Sequence, residues 1–147
     1  MVRVQVFNAH PRRRVQKRCV DRYVRRVLKT EGKRGAQVSV VFVDSPYSRR
    51  INRRFLGRDH VTDVISFSLG NGMNLEGEIY VNLDRARHQA RAFAVSEANE
   101  IGRLVIHGAL HLVGYDDKRS ATARRMKVRE DEHVRYWFRS GGTGKDS

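Results

Sequence analysis

The chain has 147 residues, enough for one domain with a hydrophobic core, and its 30 Lys and Arg against 16 Asp and Glu give a formal net charge of +14. One cysteine, Cys19, excludes an internal disulfide and a cysteine-based zinc site. No apolar run reaches transmembrane length, and the N-terminus lacks the apolar stretch of a signal peptide, so we expect a cytoplasmic protein with no membrane partner. The charge favours nucleic acid or another anionic surface as the partner, with a merely solvated arginine-rich surface as the alternative.

The pattern of apolar residues predicts four strands and five helices. The strands are residues 2–7, 37–43, 64–69 and 77–82, and the helices are residues 12–30, 47–56, 84–94, 101–113 and 120–138. Only seven residues separate the last two strands, which favours an antiparallel pair. The order β-α-β-α-β-β-α-α-α predicts an α+β fold in which helices cover a small mixed four-stranded sheet. We expect a single domain over residues 1–139 and a flexible C-terminal tail over residues 140–147.

The first predicted helix, opened by His10 and Pro11, is amphipathic. One side is apolar, and the other carries a row of arginines that includes Arg18, Arg22 and Arg25. Such a basic face suits RNA phosphates or an acidic membrane surface, and a solvated helix face is the alternative interpretation.

Several expectations concern single side chains of the later helices. Phe93 should point inward from the third helix, and Ser96 or Asn99 should cap the fourth helix. Ser120 is the expected N-cap of the last helix. The histidines that form no pattern are expected at the surface: His60, His88 and His133.

The fourth helix carries two histidines, His107 and His111, four residues apart in an apolar run. Side chains at this spacing project from one face of a helix about one turn apart, so two imidazoles can bind one metal ion. Gly114 suits a left-handed helix end, after which residues 115–117 can return a third ligand. A core histidine bonded to a carbonyl is the structural alternative, but a pair followed by glycine and carboxylates favours a metal site.

Four blocks of the sequence form a recognisable set. They are Asn52-Arg-Arg-Phe55, Thr62-Asp-Val-Ile-Ser-Phe67, Gly77-Glu-Ile79 and His107-Gly-Ala-Leu-His-Leu-Val-Gly-Tyr-Asp-Asp117. The set resembles the YbeY endoribonuclease family of bacterial rRNA maturation factors, whose signature reads His-Gly-x-Leu-His-Leu-x-Gly-Tyr-Asp-His. Ten of those eleven signature positions fit, and the order and spacing of the blocks agree over about residues 2–138.

The resemblance implies a small sheet sandwiched by helices and a zinc-dependent single-strand endoribonuclease, a hydrolase of RNA phosphodiester bonds. It implies a role in rRNA maturation, including 16S rRNA 3′ end processing, and in ribosome quality control. The implied partners are RNA of the small ribosomal subunit and a ribosomal protein. Carried over position by position, the catalytic metal ligands are His107, His111 and Asp117, with one Zn2+ per chain.

Two positions depart from the family pattern. Asp117 replaces the third signature histidine, which zinc chemistry tolerates because zinc accepts carboxylate oxygen. Leu56 stands where the family usually carries an arginine that is assigned to RNA phosphate. Arg53, Arg54 or Arg58 can supply that charge from a neighbouring position.

Two other functions fit parts of the sequence. The first is a non-catalytic RNA-binding ribosome-assembly factor whose metal is structural, although structural zinc normally has four protein ligands. The second is a zinc peptidase, but such enzymes usually place Glu directly after the first His, and here that position is Gly108. Asp63 and Glu78 are candidate acid–base groups, with turn capping and strand-edge solubility as the alternative interpretation.

Overall fold

The computed structural model describes residues 1–70 and 74–138, and within them the nine elements follow the predicted order. The strands are β1 (Val2–Asn8), β2 (Ala36–Val43), β3 (Val64–Ser68) and β4 (Leu75–Asn82). The helices are α1 (Lys17–Thr30), α2 (Ser45–Leu56), α3 (Leu83–Phe93), α4 (Glu97–Leu112) and α5 (Ser120–Trp137). The predicted α+β class is confirmed.

The four strands form one mixed sheet in the order β1-β2-β4-β3. β1 pairs with β2, and β2 with β4, in parallel, whereas β3 and β4 are antiparallel as the short connection between them predicts. Val43 and Asn82 lie opposite each other where β2 and β4 end, so α2 and α3 start at the same edge of the sheet.

One face of the sheet carries the hydrophobic core. Val38, Val40 and Phe42 of β2 are at most 1% exposed, because alternate side chains of a strand point to opposite faces. α1 and α4 pack against this face and against each other, with Val24 and Val27 of α1 fully buried. Each such burial contributes about 1.5–3 kcal/mol of hydrophobic stabilisation.

Two glycines bring α4 close to β4. A Cβ on Gly108 of α4 would lie 2.6 Å from Ile79 Cγ2, and a Cβ on Gly77 of β4 would lie 2.5 Å from Leu112 Cδ2. Both distances are shorter than Cβ contacts in real proteins, so a larger residue at either position forces a shift. The close contact fixes the position of the helix that carries His107 and His111.

α1 begins at Lys17, so the predicted start at residue 12 is wrong. The buried ring of His10 prevents an earlier start, because its Nδ1 accepts the backbone N–H groups of Arg12 and Arg13, each at 3.1 Å. Its Nε2 donates to Asp84 Oδ1 at 2.8 Å and so ties this turn to the start of α3.

Three side-chain predictions are also wrong. Phe93 is 62% exposed, since the packed part of α3 ends one turn earlier. His133 is only 2% exposed, because it lies on the buried side of α5 and faces α1. The N-cap of α5 is Arg119, and Ser120 is the first helical residue. By contrast, Ser96 caps α4 as predicted, accepting a backbone N–H of the first turn at 3.0 Å.

Within the described ranges, no helix is long and apolar enough to cross a membrane. The expected tail over residues 140–147 lies outside those ranges and stays a prediction.

Candidate metal centre

α4 presents His107 and His111 on one face, where both side chains line a cleft. After the helix ends, Gly114 adopts a φ of 113°, a conformation that glycine reaches without steric cost. The chain therefore reverses as the sequence predicts, and the reversal brings Asp117 beside the two histidines.

The three candidate ligand atoms lie at distances suited to one metal ion. The Nε2 atoms of His107 and His111 are 3.1 Å apart. Asp117 Oδ2 lies 3.9 Å from the first and 3.8 Å from the second. Tetrahedral zinc, with bonds of about 2.0–2.1 Å, separates its ligand atoms by about 3.3 Å. The exposed Asp117 side chain reaches that spacing by moving about 0.5 Å.

The far nitrogen of each ring has a defined partner. His107 Nδ1 lies 2.6 Å from Glu130 Oε1 of α5, and His111 Nδ1 donates to the backbone carbonyl of Tyr115 at 3.0 Å. Because both partners are acceptors, each Nδ1 carries a proton and each Nε2 of a neutral ring presents a lone pair. Two lone pairs facing each other at 3.1 Å repel unless a proton or a cation lies between them. The donor set therefore fits a divalent metal ion.

Glu130 makes the two rings electrostatically unequal. Burial lowers the pKa of His107, but the hydrogen bond and charge of Glu130 outweigh it, so that pKa is raised. Burial and the charge of His107 together lower the pKa of His111. Burial raises the pKa of Glu130, but His107 and Arg103 outweigh this effect and keep it ionised. Of the two rings, His107 is therefore the more basic.

Two hydrogen-bond networks hold the groups behind the ligands. Arg103 of α4 donates to Glu130 Oε2 at 2.6 Å, and the Glu130 side chain is only 8% exposed. The Tyr115 hydroxyl donates to Glu31 Oε1 at 2.9 Å, and Arg129 donates to the other oxygen of the same carboxylate. The loop that carries the third ligand is thus tied to α1 and α5.

Asp116, the other candidate for the third ligand, also lines the cleft but is hydrogen-bonded to other groups. Its Oδ1 accepts the backbone N–H of Lys118 at 3.1 Å and the hydroxyl of Thr122 at 2.9 Å. These bonds tie Asp116 to the start of α5. Among the described residues, the group that could hold a metal ion includes Asp117 and not Asp116.

Comparison with known proteins agrees with the motif blocks. A family model described as Endoribonuclease YbeY matches residues 5–137. The chain belongs to the YbeY family. A relative named Endoribonuclease YbeY from Chlorobium luteolum is 40% identical over 138 residues, which cover 94% of this chain and 100% of the relative. One of the same name from Salinibacter ruber is 37% identical, with 89% of each chain covered.

The fold also matches a solved structure. The solution structure of TM1509 from Thermotoga maritima gives a TM-score of 0.63 at 26% sequence identity. The match covers 92% of this chain and 87% of the other. The YbeY-family blocks therefore lie on a fold that is also known from experiment.

The candidate ligands of this YbeY-family chain line a cleft of about 660 Å³. One wall is formed by the end of α2 with Asn52 and Leu56, and another by residues of β3. The cleft lining includes one arginine, Arg58, and one lysine, Lys118. Arg58 therefore lies in the same cleft as Leu56, which occupies the position of the family arginine, whereas Lys118 was not expected from the sequence.

The other arginines predicted to bind RNA lie outside the cleft lining. Arg53 forms an ion pair with Asp59 at 2.8 Å, and the Arg54 guanidinium lies 5.5 Å from the Phe55 ring. Three exposed arginines of α1 belong to a different part of the surface: Arg18, Arg22 and Arg25.

The two candidate acid–base carboxylates are engaged in structural hydrogen bonds. Asp63 lines the cleft and accepts the backbone N–H of Val64 at 2.8 Å and the Gln89 amide at 3.1 Å. Glu78 accepts the Tyr80 hydroxyl at 3.0 Å and is not part of the cleft lining. These contacts agree with the capping interpretation of Asp63.

Glu130 is, after Lys118, a second residue of the site that the sequence did not predict. Its signal was present, since it lies four residues after Met126 and four before Val134, both buried on α5. A carboxylate on a buried helix stripe needs a hydrogen-bond partner, and the histidine pair supplies one.

Proposed function

We propose that this chain is a zinc-dependent endoribonuclease that cuts single-stranded RNA during rRNA maturation. The observation that carries the proposal is the convergence of His107, His111 and Asp117 in the cleft of a YbeY-family chain. The name of the relatives, Endoribonuclease YbeY, supports RNA as the substrate. A net charge of +14 supports a polyanionic substrate as well.

Each side chain of the site has a distinct task in this proposal. Zinc held by the three ligands would supply Lewis acidity at the phosphodiester and activate water. Glu130 fixes the His107 ring and increases its basicity as a ligand. Arg58 and Lys118 bind phosphate oxygens and stabilise the negative charge that develops during cleavage.

The geometry favours a catalytic metal over a structural one. The candidate ligand group among the described residues contains three side chains, whereas structural zinc normally has four protein ligands. Asp116 is bonded elsewhere, and Glu130 contacts the far nitrogen of His107. Three protein ligands would leave one coordination position of a bound zinc ion for water or substrate.

Peptidase chemistry has no support at this site. A zinc peptidase of the common helical motif needs Glu directly after the first His, and this chain has Gly108 there. Gly108 packs so closely against Ile79 that a side chain at that position would force a neighbouring group to shift.

The biological setting follows from membership of the family. We propose the 3′ end of 16S rRNA as the processed site and a further role in ribosome quality control. RNA of the small ribosomal subunit and a ribosomal protein are the proposed partners, and the cytoplasm is the proposed location.

Zinc content and RNA cleavage, measured on the same samples, test the proposal. The wild type and the variants His107→Ala, Asp117→Ala and Asp116→Ala are reconstituted with zinc, dialysed, and assayed with a labelled single-stranded RNA. We expect about one zinc per chain in the wild type and in Asp116→Ala, and almost none in the other two variants. Cleavage should follow the zinc content.

Asp116→Ala is the matched control, because it removes a neighbouring carboxylate that is bonded away from the histidines. Zinc binding without RNA cleavage in the wild type would favour the assembly-factor alternative. A wild type that takes up no zinc would contradict the metal site itself.

A further inference from the structure

A connected group of aromatic rings lies on and beside α2. The Phe55 ring packs edge-on against Phe67 of β3 at 5.7 Å, and Phe67 packs against Tyr80 of β4 at 6.0 Å. Tyr80 in turn stacks against Tyr47 of α2 at 6.4 Å. Phe55 is 62% exposed, an unusual state for a ring of this size held in an ordered array. The rings therefore present an aromatic surface to solvent.

Two arginines of α2 lie over these rings. The Arg54 guanidinium is 5.5 Å from the Phe55 ring, and the Arg50 guanidinium is 5.5 Å from the Tyr47 ring. Neither guanidinium has an ion pair with a carboxylate within residues 1–70 and 74–138. Arg49 on the same helix, by contrast, pairs with Asp59. The charges of the two ring-bound arginines are therefore available to an anion.

We define the α2 stacking surface by five residues that border a shallow groove of about 470 Å³ or pack against its rim: Tyr47, Arg50, Arg54, Phe55 and Phe67. The C-terminal half of α2 carries residues of both this surface and the metal cleft, on different sides of the helix. Phe55 directly precedes Leu56, and both Leu56 and Asn52 of α2 line the cleft. An RNA strand that passes around the end of α2 can therefore contact both.

We propose that the α2 stacking surface binds unpaired bases of the RNA strand whose phosphate enters the metal cleft. The inference rests on the proposed function, and it assigns the base contacts of the same substrate. Aromatic rings interleaved with arginines are what single-stranded nucleic acid requires, because rings stack on bases and guanidinium groups bind phosphates. Stacking of this kind accepts every base, so the surface contributes affinity for unpaired strands and little sequence preference.

A protein partner explains these features less completely. A purely apolar partner would leave Arg50 and Arg54 without an anion, whereas a single-stranded polynucleotide offers a flat ring and a phosphate in every unit. Glu78, which accepts the Tyr80 hydroxyl, carries negative charge on the sheet side of the array. Its repulsion keeps phosphates on the arginine side, where α2 lies.

Binding of two probes of equal charge tests the proposal. The first probe is a short 2′-O-methyl oligouridine, and the second is an abasic 2′-O-methyl ribose-phosphate strand of the same length, so they differ in their bases. Fluorescence anisotropy with the zinc-loaded protein at fixed salt compares the wild type with Phe55→Ala, Phe55→Trp and Phe93→Ala. Phe93 is the matched control, because it is an equally exposed phenylalanine (62%) on α3.

We expect Phe55→Ala to weaken oligouridine binding by about fivefold or more and to leave abasic-strand binding within about twofold. Phe55→Trp should bind oligouridine at least as tightly as the wild type, and Phe93→Ala should equal the wild type with both probes. Equal oligouridine affinity of Phe55→Ala and the wild type would overturn the proposal and leave a protein as the occupant. An equal loss with both probes would overturn it too, because the contact would then be to the backbone.

The same samples separate this inference from the nuclease proposal. A wild type that does not cleave RNA but still shows base-dependent, Phe55-dependent binding would refute the nuclease and support the stacking surface. Cleavage that depends on His107, together with binding that does not depend on Phe55, would refute the stacking surface and leave the nuclease intact.

Discussion

His107 and His133 are two imidazoles of the same chain whose neighbours carry opposite charges. His107 Nδ1 lies 2.6 Å from the Glu130 carboxylate, and His133 Nδ1 lies 2.6 Å from the Arg26 guanidinium. Against the effect of burial, Glu130 raises the pKa of His107. Burial and the positive charge of Arg26 lower the pKa of His133 to about 4.

This difference in neighbouring charge distinguishes a histidine that can bind a metal ion from one that cannot. A carboxylate behind the ring accepts its N–H and leaves the opposite nitrogen electron-rich and facing a cleft. The Arg26 guanidinium donates a hydrogen bond to the lone pair of His133 Nδ1. The His133 ring is 2% exposed and acts as a neutral packing group. A candidate metal ligand in this chain therefore needs a hydrogen-bond acceptor behind its ring, as His107 and His111 have, and His133 has a donor there instead.

Separate replacement of His107 and of His133 should give the largest difference in zinc content and RNA cleavage. His107→Ala removes a ligand, so we expect loss of zinc and a fall in RNA cleavage of at least about a thousandfold. His133→Gln keeps a neutral acceptor for Arg26 and should retain both zinc and cleavage. Zinc analysis and a cleavage assay on both proteins make the comparison, and zinc loss in His133→Gln would contradict the separate roles.

Low pH should reduce the stability of the fold through protonation of His133. Its pKa is about 4 in the folded chain and about 6.5 when unfolded, so between these values the unfolded chain binds a proton that the folded chain does not. Stability therefore falls as the pH falls through this interval, by up to about 3 kcal/mol from this group. Urea unfolding at a series of pH values should show a smaller acid loss for His133→Gln, and an identical pH dependence would contradict the assignment.

Removing the charge behind His107 should have an intermediate effect. Glu130→Gln preserves the shape of the side chain but not its charge, and we expect zinc affinity to fall about 10- to 100-fold. Competition with a chelator measures this change. Glu132→Gln is the matched control, since Glu132 is exposed on the same helix and bonds Arg129. Equal affinities of the two variants would show that Glu130 does not act on the ligand.

Exchanging the third ligand should have the smallest effect. Asp117→His introduces the residue of the family signature while Glu130 and the Tyr115 carbonyl still hold the first two rings. Zinc accepts either donor, so we expect affinity to change by less than about tenfold in the same chelator competition. Complete loss of zinc would show that a histidine at position 117 cannot reach the ion.

Local sequence signals were sufficient for most of the fold and for the histidine pair, whereas Asp117 was implied by the resemblance to the family signature. The His107–His111 spacing and Gly114 are contained in a few neighbouring residues, so their geometry follows from helix periodicity and a helix end. The same holds for the β3–β4 pair, whose short connection determines its direction.

Contacts between distant segments were not predictable in this way. Glu130 lies 23 residues after His107, and His133 meets Arg26 across 107 residues, so no short pattern links either pair. Glu130 and His133 lie on the buried side of α5. In the sequence they resemble the solvated polar residues of this charged helix. His10 likewise stops α1 from starting early through backbone contacts that composition does not reveal.

The two glycines between α4 and β4 have a genetic consequence. A methyl group added at Gly77 meets Leu112, and one added at Gly108 meets Ile79, so either change forces the facing side chain or the histidine helix to shift. Activity and folding would then be lost through the same mutation, in residues that contact no substrate. Second-site mutations that restore function should place a smaller side chain at Leu112 or Ile79. Each glycine and the residue it faces must therefore evolve together.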